Sequence, residues 1–225
     1  MFRVEKMPAQ IPTELRELLL SVEPVKVGHF KEGGIMDHGM AALLPNRHAV
    51  GTAVTCKAPG IDGTIIPLVM GMLRRNDILV IDRGGDLKHA AWGAGLAYAC
   101  TVIGVAGVVI DGLICDVGKL RDLAVPTWSR GVTALTTQRT GQAGEINTTV
   151  SCGGVTIEPG DAIAADENGV VVIKPGEIKD VAEKALKVKA GEPITRARLD
   201  AGERLSDIRG TVEFIRSKGF TLNMP

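Results

Sequence analysis

At 225 residues the chain is long enough for one domain with a full core, or one domain and an arm. Lys and Arg total 26, as do Asp and Glu, so the formal net charge is zero; nucleic acid, which usually demands a basic face, is not expected as a partner. Only 3% of residues are aromatic, so any core must be built from Val, Ile, Leu and Ala, and no stretch approaches the roughly 18 apolar residues needed to cross a bilayer.

The N-terminal segment, MFRVEKMPAQIPTEL, lacks the apolar centre of a signal peptide. Residues 12–21 have the spacing of a short amphipathic helix with Thr13 as its N-cap. Val25 to Asn46 is glycine-rich and irregular. Val50 to Cys56 alternates like a strand, Ile65 to Leu73 reads as a helix, and Ile78 to Ile81 as a buried strand. Next come a glycine-rich loop (Arg83-Gly84-Gly85-Asp86), a helix that takes in His89 and Gly93 to Leu96, and a second apolar strand at Val108 to Ile110. A loop with Asp111 and Asp116 follows, then a short helix at Lys119 to Leu123 and an edge strand at Pro126 to Ser129. Beyond a loose stretch, residues 155–173 read as short strands split by tight turns, with Asn168-Gly169 predicting a type I′ turn. Ile178, Val181, Ala182, Ala185 and Leu186 keep helical spacing, and a charged helical tail runs from Arg196 to Lys218. We expect one α/β domain over 1–190 and a C-terminal helical arm over 191–225 that packs on a neighbouring subunit.

The chemistry concentrates between Arg83 and Asp116. Two strands joined by one helix lie side by side in a parallel sheet, so their exit loops open at one edge. There, backbone N–H groups from a glycine loop would meet a carboxylate, an arrangement suited to an anion beside a divalent cation. The glycines do not form a P-loop, since no Gly-Lys-Ser/Thr follows, nor a clean dinucleotide fingerprint. Asp116 can bind Mg²⁺ or Mn²⁺ with water in the remaining positions, or simply cap the next helix. Asp111 reads as the residue that fixes a turn at Gly112. Cys56, Cys100, Cys115 and Cys152 are widely spaced without a CxxC pair, which suggests reduced thiols in a cytoplasmic protein.

Gly93-x-x-Leu96, Gly104-Val105-Ala106-Gly107-Val108-Val109-Ile110-Asp111-Gly112 and Asp116 together resemble the core of the RraA-like family. Further matches are Val50 to Thr55, Asn76 to Asp82, Cys152 to Val155 and Pro159-Gly160-Asp161 through Val170, in the family's order over residues 48–175. That family includes class II 4-hydroxy-4-methyl-2-oxoglutarate/4-carboxy-4-hydroxy-2-oxoadipate aldolases and the regulator of ribonuclease activity A. Many members carry an old methyltransferase label, which nothing in these residues supports.

The resemblance implies a three-layer ββα sandwich of the swivelling-domain type, assembled as a homo-trimer or hexamer. It implies a lyase of the pyruvate-releasing aldolase or oxaloacetate decarboxylase type, acting on a small 2-oxo acid. The amides of Gly93, Ala94, Gly95 and Leu96 would hold the substrate, and Asp116 a Mg²⁺ or Mn²⁺ ion that stabilises the enolate. Glu203 on the arm would enter a neighbouring subunit's site, with Glu192 as the fallback. Where the family's aldolases have an arginine this chain has Cys115, an acidic residue is replaced by Ala94, and a second acidic position holds Lys119. Arg83, Lys88 or His89 would then have to supply the missing charge. The alternative is a non-catalytic family member that binds a protein partner.

Overall fold

Strands that are apolar on both faces need a cover on both sides, and the two covers here are of different kinds. The computed structural model describes residues 1–223. In chain order it contains β1 (Phe2–Val4), α1 (Thr13–Leu20), α2 (Pro24–Val27), β2 (Ala41–Ala42), β3 (Ala49–Lys57), α3 (Ile66–Met70), β4 (Asp77–Asp82), β5 (Ala90–Trp92) and α4 (Ala94–Ile103). There follow β6 (Gly107–Ile114), α5 (Val117–Leu123), β7 (Thr127–Val132), β8 (Gly144–Ile146), β9 (Val150–Cys152), β10 (Val155–Ile157), β11 (Ala162–Asp166), β12 (Gly169–Ile173), α6 (Ile178–Asp200), α7 (Leu205–Ile208) and α8 (Thr211–Ser217). The chain divides into two units, Met1–Ala185 and the part from Leu186 onward.

In the first unit β3, β4, β6 and β7 are parallel neighbours, so their carboxyl ends share one edge of the sheet. Antiparallel β11 and β8 pair with successive stretches of β3, and β12 pairs with β11. Alternation sends Val54, Cys56, Leu79, Ile81, Val108 and Ile110 to one face, where Ile66, Val69, Ala97, Cys100 and Leu120 from α3, α4 and α5 cover them. The neighbouring positions Ala53, Ile78, Val80 and Val109 go to the other face, against Val150, Ile157, Ile163, Val170 and Val172 from β9 to β12. Helices, a parallel sheet and a second β layer make the mixed α/β sandwich expected from the sequence. Each fully buried Val, Leu or Ile contributes about 1.5–3 kcal/mol, so these two cores hold the sheet edge in place.

Several local expectations fail for identifiable reasons. Thr13 is the first residue of α1; the cap position is Pro12, which has no side-chain donor or acceptor to bond the helix end. Asp166 pairs with Gly169, so the tight turn is centred on Glu167 and Asn168, and neither has positive φ. The Asp166 carboxylate, which accepts the Asn168 N–H at 2.8 Å, stabilises that turn in place of the predicted type I′ geometry. β7 is not an edge strand, because the short β2 pairs alongside it.

The second unit is helical, but not as one rod. Gly202 and Gly210, with φ of 86° and 58°, separate α6, α7 and α8. Ile194, Leu199, Leu205 and Phe214 are exposed on it. Among the described residues no helix is long and apolar enough to cross a membrane.

A buried carboxylate, Asp62, ties the loop before α3 to the segment before β8. It accepts N–H groups from Thr64 at 2.9 Å, Gln142 at 2.6 Å and Ala143 at 3.1 Å, and the Thr64 hydroxyl at 2.6 Å. Burial pushes this carboxyl up, but the hydrogen bonds outweigh burial and hold it well below the ordinary carboxylate range. A depressed folded-state value stabilises the fold above the unfolded value of about 4, and that stabilisation is lost as pH falls through the folded one. Asp62→Asn should therefore lower stability at pH 7 by about 1–3 kcal/mol. Thermal melts from pH 7 to pH 3 should show the wild type losing more stability than the variant; parallel curves would refute this role.

Candidate functional site

β6 is longer than its partner β4 and extends past it. β4 pairs with Gly107 to Asp111 and leaves the sheet after Asp82; the chain then returns as β5 to pair with Leu113 and Ile114. Asp111 is therefore inside a strand, not in a turn, and His89 precedes β5 instead of lying on a helix. The intervening excursion is pinned by Arg83. Its side chain is completely buried, and its guanidinium donates to the carbonyls of Ala58 and Gly60 and, at 3.0 Å, to Asp86. Gly112 makes room for it: a Cβ there would stand 2.4 Å from Arg83 Cγ. What reads in the sequence as a turn glycine is a strand glycine that lets an arginine stem pass.

Asp86 gathers the rest of the excursion, accepting the Lys88 N–H at 2.8 Å and meeting His89 Nδ1 at 2.9 Å. Burial pushes the Asp86 carboxyl up, but the bonds from His89, Lys88 and Arg83 prevail and hold it below the usual range. Arg83 and His89, both expected to supply charge to the ligand, are thus committed to this cluster.

The ends of β5 and β6 build the corner itself. The Cys115 N–H donates to the Trp92 carbonyl at 2.8 Å, which sets Gly93 beside Asp116. Asp116 Oδ2 accepts the N–H of Ala94, the first residue of α4, at 3.0 Å. Contact is so close that a Cβ on Gly93 would come within 2.8 Å of Cys115 Sγ and 2.9 Å of Asp116 Oδ2. Asp116 sits at the cap position of α5 with φ of 56°, a left-handed conformation that Asp tolerates better than most residues, yet its side chain makes no cap bond to that helix. It serves the start of α4 instead. The helix-cap reading for α5 therefore fails, Gly93, Ala94, Cys115 and Asp116 lie together, and the Ala94 N–H expected to be free for a ligand is taken by Asp116. By their place in the first turn, the N–H groups of Gly95 and Leu96 have no acceptor within the helix.

Open space lies beside this corner. Cys115, Asp116 and Val117 line a cavity of ≈ 490 Å³ with Val132, Thr133, Ala134 and Thr136. A second, also ≈ 490 Å³, is lined by Ala94, Gly95, Tyr98, Lys119, Asp122 and Leu123. Tyr98 carries no signal in the sequence, whereas Lys119 is the residue that stands where the resemblance calls for an acidic one.

Cys115 Sγ lies 3.4 Å from the Trp92 carbonyl, and burial, reinforced by the charge of Asp116, pushes its thiol up, the opposite of what a nucleophile needs. Asp111 faces the second β layer: it accepts Arg130 Nε at 2.6 Å and the Gly153 N–H at 2.9 Å, and Arg130 reaches on to Asp37 at 2.7 Å. Glu203 belongs to the second unit and is paired there with Arg198 at 3.0 Å, which holds its carboxyl below the usual range.

Among the described residues no group of three or more His, Cys, Asp or Glu is placed to hold a metal ion. Asp116 offers one exposed carboxylate and Ala94 contributes no second. Such a donor set fits a hydrated Mg²⁺ or Mn²⁺ held by a single carboxylate, not a closed cage.

Parallel strands in a sandwich with one helical and one β cover define a mixed α/β protein, with the candidate corner at the carboxyl edge of its sheet. The chain belongs to the RraA-like family: the family model described as Aldolase/RraA matches residues 26–172. It is 37% identical over 150 residues, 67% of this chain and 71% of the relative, to a Halalkalibacterium halodurans protein named "Putative 4-hydroxy-4-methyl-2-oxoglutarate aldolase". An uncharacterized Methanocaldococcus jannaschii protein is 35% identical over 175 residues, 76% of this chain and 83% of its own length. Among solved structures, Streptomyces coelicolor RraAS2, described as an unusual member of the RNase ES inhibitor RraA protein family, superposes with a TM-score of 0.74 at 26% identity, covering 83% of this chain and 98% of that one.

Asp116→Asn should remove the charge that helps hold the Cys115 thiol up. Alkylation of Cys115 by iodoacetamide at pH 8, followed by peptide mass spectrometry, should then quicken by about two- to tenfold. An unchanged rate would mean that the two side chains are not coupled.

Proposed function

We propose that this protein is a divalent-metal-dependent lyase that cleaves a small 2-oxo acid and releases pyruvate, as an aldolase or an oxaloacetate decarboxylase. The observation that carries this reading is the contact between Asp116 Oδ2 and the Ala94 N–H, which sets a carboxylate against the first turn of a helix. A bound Mg²⁺ or Mn²⁺ would supply Lewis acidity toward the 2-oxo group. Asp116 would hold and orient that ion. The first-turn N–H groups of Gly95 and Leu96 would donate to the substrate carboxylate and fix its plane, and the helix dipole would favour its negative charge. Val132, Val117 and Ala134 would present an apolar wall that limits water beside the reacting carbon. The names of relatives such as the Halalkalibacterium protein support an aldolase. A trimer or hexamer, with Glu203 supplied by an adjacent copy, is part of the same reading.

Two substitutions favour a second reading, a non-catalytic protein that binds a partner. Ala94 and Cys115 stand where the resemblance calls for an acidic residue and an arginine, and loss of a side chain that stabilises an oxyanion typically costs about 10²–10³ in rate. RraAS2, described as belonging to an RNase-inhibitor family, is a structural relative of that kind.

Purified wild type and Asp116→Ala, assayed for pyruvate release from oxaloacetate and from 4-hydroxy-4-methyl-2-oxoglutarate with Mg²⁺ or Mn²⁺, separate the two. The lyase reading predicts turnover that requires the metal and falls at least about 10²-fold in the variant. Equal background rates in both proteins would favour the partner-binding reading.

A further inference from the structure

We infer that β1 is the edge through which two copies of this chain pair, antiparallel about a two-fold axis that passes beside Val4. The inference is independent of what the corner at Asp116 binds. β1 ends the main sheet: it pairs in parallel with β8 on one side, and among the described residues no strand lies on its other side. The Glu5 N–H donates to the Ile146 carbonyl at 3.0 Å, and the Met1 carbonyl accepts the Gly144 N–H at 3.3 Å. Backbone groups alternate in direction along a strand, so Met1, Arg3 and Glu5 face β8 while the N–H and C=O of Phe2 and Val4 face outward. The side chains of Phe2 and Val4, 42% and 48% exposed, form an apolar strip along the same strand.

An edge with unpaired donors and acceptors is a template for another strand, and charges on it normally repel unwanted ones. Here the charges are Arg3 and Glu5, of opposite sign and two residues apart, and they select a second copy. Outward-facing residues must meet outward-facing residues for both bonds of a pair to form. The register that sets Phe2 opposite Val4 of the second copy brings Arg3 against Arg3 and is repulsive. Shifting by one pair, so that Val4 meets Val4 and Phe2 meets Lys6, sets each Arg3 opposite the second copy's Glu5. Both charged pairs then occupy the positions between hydrogen-bonded pairs, where side chains come closest. In the single chain Arg3 bonds Glu5 of its own strand at 2.8 Å, and both are exposed. An exposed pair of that kind contributes little, so exchanging it for two pairs across the axis costs little. Glu145, opposite Arg3 on β8, keeps a carboxylate beside the arginine in both states.

Sedimentation velocity of the full chain over a range of concentrations tests the pairing. Val4→Pro removes an outward N–H and leaves the bonds to β8 in place, so this variant should sediment at half the wild-type mass. Arg3→Glu and Glu5→Arg each set like charges opposite one another and should raise the dissociation constant of the pairing by about tenfold or more. Mixed in equal amounts, these two variants complement each other but not themselves, and the wild-type mass should return. The double variant Arg3→Glu/Glu5→Arg should associate like the wild type. All four variants should melt at the wild-type temperature, because the substituted side chains are exposed. A Val4→Pro variant with the wild-type mass, or charge variants that stay apart after mixing, would overturn the pairing.

Discussion

The site depends on one strand having two partners in succession along the same edge. β6 pairs with β4 as far as Asp111 and then with β5 at Leu113 and Ile114. Because β4 stops early, the chain can leave the sheet, turn and come back in the same direction, and α4 starts directly after the return. The Trp92 to Cys115 hydrogen bond then fixes Gly93 against Asp116. Were β4 to continue alongside β6, no helix start could reach the aspartate. The strength of the arrangement comes from the cores on both faces of the sheet; its geometry comes from the excursion between Asp82 and Ala90.

That excursion explains why strongly polar residues lie so deep. Arg83 cannot be solvated where it is, so its two terminal nitrogens donate to the carbonyls of Ala58 and Gly60 and to Asp86, while its buried Nε has no hydrogen-bond partner. Burying a guanidinium is costly unless such partners are supplied, and its burial lowers the pKa of Arg83 even beside Asp86. The return is rigidity in the excursion that leads into β5 and the start of α4.

Long apolar runs made the parallel pairing of β4 and β6 legible, and with it the meeting of Gly93 and Ala94 with Asp116. What escaped the sequence was local. Gly112 looks like a turn because glycine usually makes one, whereas its requirement here is steric and set by a residue far away in sequence, Arg83. Ala90-Ala91-Trp92 is equally good as helix or strand, and only the free edge of β6 decides for strand. Asn168-Gly169 carries a strong turn signal, but the Asp166 carboxylate moves the turn one residue earlier.

Manganese anomalous scattering from crystals soaked with Mn²⁺ and pyruvate tests the central claim most directly. A manganese peak is expected within coordination distance of the Asp116 carboxylate, with pyruvate density directed at the amides of Gly95 and Leu96. Crystals that bind manganese elsewhere, with the Asp116 carboxylate still holding the Ala94 N–H and no density beside it, would contradict it.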